Sequence, residues 1–177
     1  MSSSAADIFA EPMIDTDHFL HVYNEQLVEL QKNGMLPRLD AKLKYKVYSI
    51  RGRGFGAHKS IVLTTDDEHF VTVELGFIEI HGKKHIYPVT KSLRDEYARD
   101  KMEFLGEIEA TGHDLICKAV EVMKQFGSYF KFYNNCQNFC NMYLEAIGLK
   151  GAQTVTDGDK AAIAGIIVVI LLYLFTR

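Results

Sequence analysis

The stretch Tyr133-Asn134-Asn135-Cys136-Gln137-Asn138-Phe139-Cys140 holds the residue types that nucleophilic chemistry uses. Asn134 and Asn135 are strong helix N-cap residues, so a helix is expected to begin at Cys136. A thiol at a helix start meets unpaired backbone N–H groups and the positive end of the helix dipole. Both favour the thiolate. The same N–H groups, at the helix terminus marked by Asn135 and Gln137, are the expected donors to an oxyanion. Cys140, one turn further on, falls on the apolar face with Phe139, Tyr143, Leu144 and Ile147, and is expected to pack. Gly148 supplies the stop. Cys117 is also expected to pack, inside an earlier helix.

A thiolate nucleophile needs an imidazole to hold and shuttle its proton, and a polar group to orient that imidazole. Of seven histidines, His58 opens an apolar strand directly after a Gly-rich loop, at a sheet end that a helix start can meet. His18 and His21 lie on a first helix, His113 precedes another, and His81 and His85 flank a turn. All five are expected at the surface. Strand arithmetic then selects the third group. A hairpin of His58–Leu63 with His69–Leu75 around Thr65-Asp66-Asp67 sets Thr64 opposite Glu68 and His58 opposite Glu74, with Ser60 on the same face. His69 falls near Leu63, roughly 16 Å along the strand from His58 at about 3.3 Å per residue. The expected catalytic set is therefore Cys136, His58 and Glu74, a chemistry that needs no cofactor.

The elements that must position these residues can be read in order. Residues 1–14 are expected to be disordered. Asp15 or Thr16 caps a helix to about Asn33, with Phe19, Leu20, Tyr23 and Leu27 on its apolar stripe and Gly34 at its end. Lys42 to Ile50 alternates Leu43, Tyr45 and Val47 with Lys42, Lys44 and Lys46, a strand with one solvated face. Arg51 to Gly56 lacks the Gly-Lys-Ser/Thr of a phosphate loop and is expected to be a turn. Strands follow at His58–Leu63 and His69–Phe77, with a separate hairpin at Ile78–His81 and His85–Tyr87. Pro88 to Lys101 is expected to be a charged connection, Met102–Ala110 a further strand, and Thr111 or Asp114 the cap of a helix to Phe126 that Gly127 ends. The class is α+β, one domain over residues 15–150 with an antiparallel sheet packed against helices.

The net charge of −3 argues against a dedicated nucleic-acid binder. Three cysteines without a C-x-x-C spacing suit free thiols in a reducing compartment and predict no metal site. After a polar linker, 151–160, Ala161 to Phe175 is fifteen residues without a charged side chain. As a helix it spans about 22 Å, against about 30 Å for a hydrocarbon core. Residues 161–177 are expected to form a single-pass tail anchor, suited to a thin membrane such as the endoplasmic reticulum, with the preceding domain in the cytosol.

A strand-opening histidine, an Asn-Cys-x-x-Phe helix start and a C-terminal apolar run together resemble the lecithin:retinol acyltransferase-like (LRAT-like) family. Its small tail-anchored phospholipase/acyltransferases are circularly permuted relatives of papain and NlpC-type thiol hydrolases. Asn135, Cys136 and Phe139 match that family's Asn-Cys-Glu-His-Phe-Val block, from which Gln137, Asn138 and Cys140 depart. The chain is similar also to the PPPDE-type isopeptidases, whose Asn-Asn-Cys-Asn-His-Phe block corresponds to Asn134, Asn135, Cys136 and Phe139. The first resemblance implies a permuted papain-like fold and acyl hydrolysis or transfer on membrane lipid. The second implies cleavage of ubiquitin-like protein conjugates. A membrane-tethered interaction module without activity is the third alternative.

Overall fold

Alternation of Leu43, Tyr45 and Val47 with three lysines produces the first strand of a five-stranded antiparallel sheet. The computed structural model describes residues 40–52, 58–80, 83–93, 101–127, 129, 135–150, 164, 166 and 167. The strands are β1 (Lys42–Arg51), β2 (Lys59–Thr64), β3 (Val71–Ile80), β4 (Lys83–Ser92) and β5 (Glu103–Thr111), and the helices α1 (Gly112–Phe126) and α2 (Cys136–Ala146). The spatial order is β4-β3-β2-β1-β5, which makes β2 the central strand. All six of its residues are buried, so both of its faces are covered. The class is α+β.

One face of the sheet and the two helices enclose a single core, in which Val47, Ile61, Val73 and Leu75 meet Met123, Phe139, Tyr143 and Leu144. Phe126 of α1 and Phe139 of α2 meet edge to face, and the Tyr143 hydroxyl donates to the Leu115 carbonyl at 3.0 Å, so a buried polar group is satisfied while it locks one helix to the other. Thr111 caps α1 through the Asp114 N–H at 3.0 Å, as expected. The far end of α2 closes in a Schellman motif. Gly148 adopts φ +92°, its N–H reaches Glu145, and the Leu149 N–H reaches Leu144 at 2.8 Å. The lysines of β1 form the solvated row that alternation implies, paired with Glu109, Glu107 and Asp67.

Two expectations are corrected. The strand His69–Phe77 and the hairpin after it are in fact one long hairpin: β3 runs on to Ile80, and β4 continues through Pro88 to Ser92. A proline is tolerated there because β4 is an edge strand, where one row of N–H groups has no ladder partner. Gly76 permits the close pairing at that point, since a Cβ on it would collide with Val89. The second correction is register. Ser60, not His58, stands directly opposite Glu74. The turn is wider than a three-residue loop because the Thr64 hydroxyl accepts from the Asp66 and Asp67 N–H groups while the Asp66 carboxylate accepts from those of Glu68 and His69. These local bonds satisfy the backbone without a ladder and postpone β3 to Val71.

The expected disordered N-terminus, the helix from Asp15 or Thr16 to Asn33 and the linker 151–160 lie outside the described residues. So does the anchor segment 161–177 except for Ala164, Ile166 and Ile167, which are helical and exposed. Among the described residues no helix is long and apolar enough to cross a membrane.

Candidate active site

Helix α2 begins at Cys136 because Asn135 holds an extended conformation and accepts from the N–H groups of Gln137 and Asn138 at 2.9 and 3.4 Å. The Asn138 side chain returns the bond to the Asn135 N–H at 3.2 Å, completing a capping box. Asn135, Cys136 and Gln137 are all buried. The cap has a consequence for the oxyanion donors. The Gln137 N–H is already committed to Asn135, whereas the N–H of Cys136 points at its own sulfur, where charge would reside.

The strand end beneath this helix carries His58. Gly52 donates its N–H to the His58 carbonyl at 2.9 Å, so the residue is pinned just before β2 begins. Its imidazole is half exposed and Nε2 lies 3.3 Å from a carboxylate oxygen of Glu74, which is nearly buried. That same oxygen accepts from the Ser60 hydroxyl at 2.6 Å, the cross-strand partner that fixes the carboxylate in place. The imidazole also hydrogen-bonds the Cys136 thiol. Three residues distant in the chain therefore meet as thiol, imidazole and carboxylate. The register differs from the sequence-based one by two residues, and this keeps Glu74 on the His58 side because side chains alternate with a period of two.

The electrostatics follow from these contacts. The bond to Cys136, then that to Glu74, raises the His58 imidazole from its usual 6.5 to about 9, against a burial that works the other way. Burial would raise the Cys136 thiol, but His58, the Lys59 N–H and its own backbone N–H outweigh it and bring the thiol below its ordinary range. Each partner therefore favours the charged form of the other, thiolate on Cys136 and imidazolium on His58. Cys140 is the opposite case. It is fully buried, its thiol is pushed strongly upward by burial, and it donates to the Lys59 carbonyl at 3.3 Å. Cys140 packs, as its place on the apolar face of α2 implies.

The remaining sequence-derived candidates separate clearly. His69 stays in the turn, with Nδ1 on the Asp66 carboxylate at 2.7 Å. Cys117 has a neighbour that its reading as a packing residue passed over: His113, one turn earlier, places its nitrogens 3.6 and 3.8 Å from the sulfur. Sequence reasoning also missed Lys59. It is only 2% exposed, and its Nζ donates to Asn141 of α2 at 3.1 Å. The available signal was a charged residue opening a strand that is otherwise apolar. Among the described residues, no group of three or more His, Cys, Asp or Glu could hold a metal ion.

No family model, curated protein or solved structure matches the chain.

Proposed function

We propose that this protein is a cysteine-nucleophile acyl hydrolase or acyltransferase of the permuted papain-like type, acting on lipid acyl esters beside a membrane. The observation that carries the proposal is the single imidazole of His58 shared between the Cys136 thiol and the Glu74 carboxylate at a capped helix start. In the first half-reaction the Cys136 thiolate attacks the acyl carbonyl, and the oxyanion formed is met by the backbone N–H of Cys136. His58 gives its proton to the leaving alcohol oxygen as the carbon–oxygen bond breaks, leaving an acyl-thioester on Cys136 and a neutral imidazole. In the second, His58 takes a proton from water, an alcohol or an amine as that acceptor attacks the thioester. The thiolate leaves, and the thiolate–imidazolium pair is restored. Glu74 touches neither substrate nor thiol in this scheme. It holds the ring in orientation and favours its charged form.

The lipid assignment rests on the apolar run Ala161–Phe175, which we take as a membrane tether that holds the site at the bilayer surface. The test uses the full chain with phosphatidylcholine vesicles, alongside a ubiquitin-like protein carrying a C-terminal vinyl sulfone. The expected result is fatty-acid release and an acyl adduct mapped to Cys136, both absent from Cys136→Ser. Labelling by the vinyl sulfone with no acyl adduct would transfer the same chemistry to an isopeptidase. An absence of both adducts would leave a binding module and end the enzymatic reading.

A further inference from the structure

Lysine is an unexpected residue at the head of β2. The five residues after it are buried, and so is Lys59 itself. A buried ammonium is costly unless its hydrogens and its charge are both answered. Here Nζ reaches across to Asn141 at 3.1 Å. The main chain of the same residue meets α2 twice more, its N–H donating to the Cys136 sulfur and its carbonyl accepting from the Cys140 thiol at 3.3 Å. Positions 136 and 140 stack one turn apart on α2 and 141 is the next residue round it, so one residue of β2 contacts the helix along more than a turn. Two of these contacts are made by backbone and survive any substitution. Only the third requires a lysine.

We propose that Lys59 is a positioning residue of the Cys136–His58 site: its buried side chain, bonded to Asn141, ties the strand end that carries His58 to the helix that carries Cys136. The inference rests on the functional reading of that pair and adds to it a residue that neither touches substrate nor moves a proton. His58 and Lys59 are adjacent in the chain, so fixing the Lys59 side chain on Asn141 of α2 also limits how far the imidazole can move from the sulfur. The charge acts in the same direction. Facing the ammonium are Arg51 of β1, which opposes it, Glu103 of β5, and the thiols of Cys140 and Cys136 on α2, which favour it. Burial is the larger influence and lowers the Lys59 ammonium. A positive charge beside the sulfur stabilises thiolate over thiol.

The experiment is the rate of Cys136 alkylation by iodoacetamide against pH, mapped by peptide mass, in the full chain and four variants. Lys59→Met removes both the tie and the charge, and Asn141→Leu removes the tie alone. Asn141→Gln keeps an uncharged amide acceptor for Nζ, and His58→Ala reports on the pair itself. Lys59→Met is expected to move the thiol midpoint upward and to cut the rate at neutral pH roughly tenfold, the equivalent of one pKa unit. Asn141→Leu should move it in the same direction by less, and Asn141→Gln should stay nearer the parent than either. If Lys59→Met fails to fold, the two Asn141 variants decide. A low midpoint in the parent that His58→Ala abolishes, but that Lys59→Met and Asn141→Leu leave in place, overturns the role of Lys59 while the Cys136–His58 pair stands. A uniform loss of rate with an unmoved midpoint also overturns it, since a merely structural residue would do that. A parent thiol with an ordinary midpoint overturns both readings together.

Discussion

Two cysteine–histidine pairs occur among the described residues, and they differ in everything except contact. Cys117 and His113 are one turn apart on α1, a spacing at which side chains of any helix are neighbours. Their meeting follows from the helix alone. Cys117 lies beyond the first turn of α1, past the reach of the dipole at the helix start, and both hydrogen-bond distances belong to a solvent-facing pair. Cys136 and His58 come from a helix start and a strand end far apart in the chain. Their contact exists only because the sheet and α2 are assembled, and it carries a carboxylate, a cap and three N–H or imidazole donors with it. Adjacency is cheap, and activation requires a tertiary structure that few pairs can recruit.

The largest expected effect breaks the comparison most directly. Cys136→Ser should abolish acyl-adduct formation and lower turnover on the order of 10⁴-fold or more, the scale seen when a nucleophile is removed from an activated pair. Cys117→Ser should stay within about twofold of the parent. Preferential iodoacetamide labelling of Cys117 near neutral pH would reverse the assignment. Next in size, His58→Ala should cost roughly 10²- to 10⁴-fold, the range for loss of a general acid and base. His113→Ala is the matched control and should change little. Equal losses from the two histidine variants would show that neither pair is special.

Much of this site is legible in the chain because each member carries a local signature. Asn135 announces a helix start, His58 opens an apolar strand, and alternation puts Glu74 on a definite face. The face survives even though the register is two residues off, since only an odd slip would have lost it. What was not legible has identifiable physical causes. The side chains of Thr64 and Asp66 capture backbone N–H groups and lengthen a turn that composition alone made short. Pro88 resembles a breaker until the sheet order shows that its strand is at the edge. Lys59 is hidden because its ammonium bonds Asn141, 82 positions away in the chain, and no local pattern encodes that meeting.

A smaller effect sharpens the comparison by asking what the carboxylate adds. Glu74→Gln removes the second-largest influence that raises His58, so the imidazole should titrate below about 9, yet remain higher than in Cys136→Ala, where the largest influence is gone. Histidine C–H resonances followed by NMR against pH would give that order directly. In turnover, the imidazolium must be present to protonate the leaving group, so the rate should fall as pH rises through about 9 in the parent. That alkaline limb should move to lower pH in Glu74→Gln, with a loss of roughly tenfold at its optimum. His69→Ala should leave the limb in place, because its ring is held by Asp66 in the β2–β3 turn. A limb moved by His69→Ala and not by Glu74→Gln would assign the third position to His69.

The smallest effect separates the helix start from the histidine as a source of activation, and it uses the caps of the two helices that carry the two thiols. Thr111 caps α1 with one bond at an exposed site, and Asn135 caps α2 with two bonds in a buried one. Thr111→Ala should therefore cost about 1 kcal/mol and lower the melting temperature by roughly 3 °C. Asn135→Ala should cost somewhat more, about 2 kcal/mol, because it strands buried N–H groups. Thermal denaturation tests that order. The informative quantity is the alkylation rate of Cys136 measured on the same samples well below the melt. Loss of the Asn135 cap frays the first turn of α2, turns the Cys136 N–H away from its sulfur and loosens the sulfur from His58, so the rate at neutral pH should fall several-fold. Loss of the Thr111 cap frays the end of α1 beside His113, away from the start of α2, and should leave Cys136 unchanged. If both variants melt earlier and neither alters the alkylation rate, the backbone at the helix start contributes nothing to the thiolate. The difference between the two cysteines would then come from His58 and Glu74 alone.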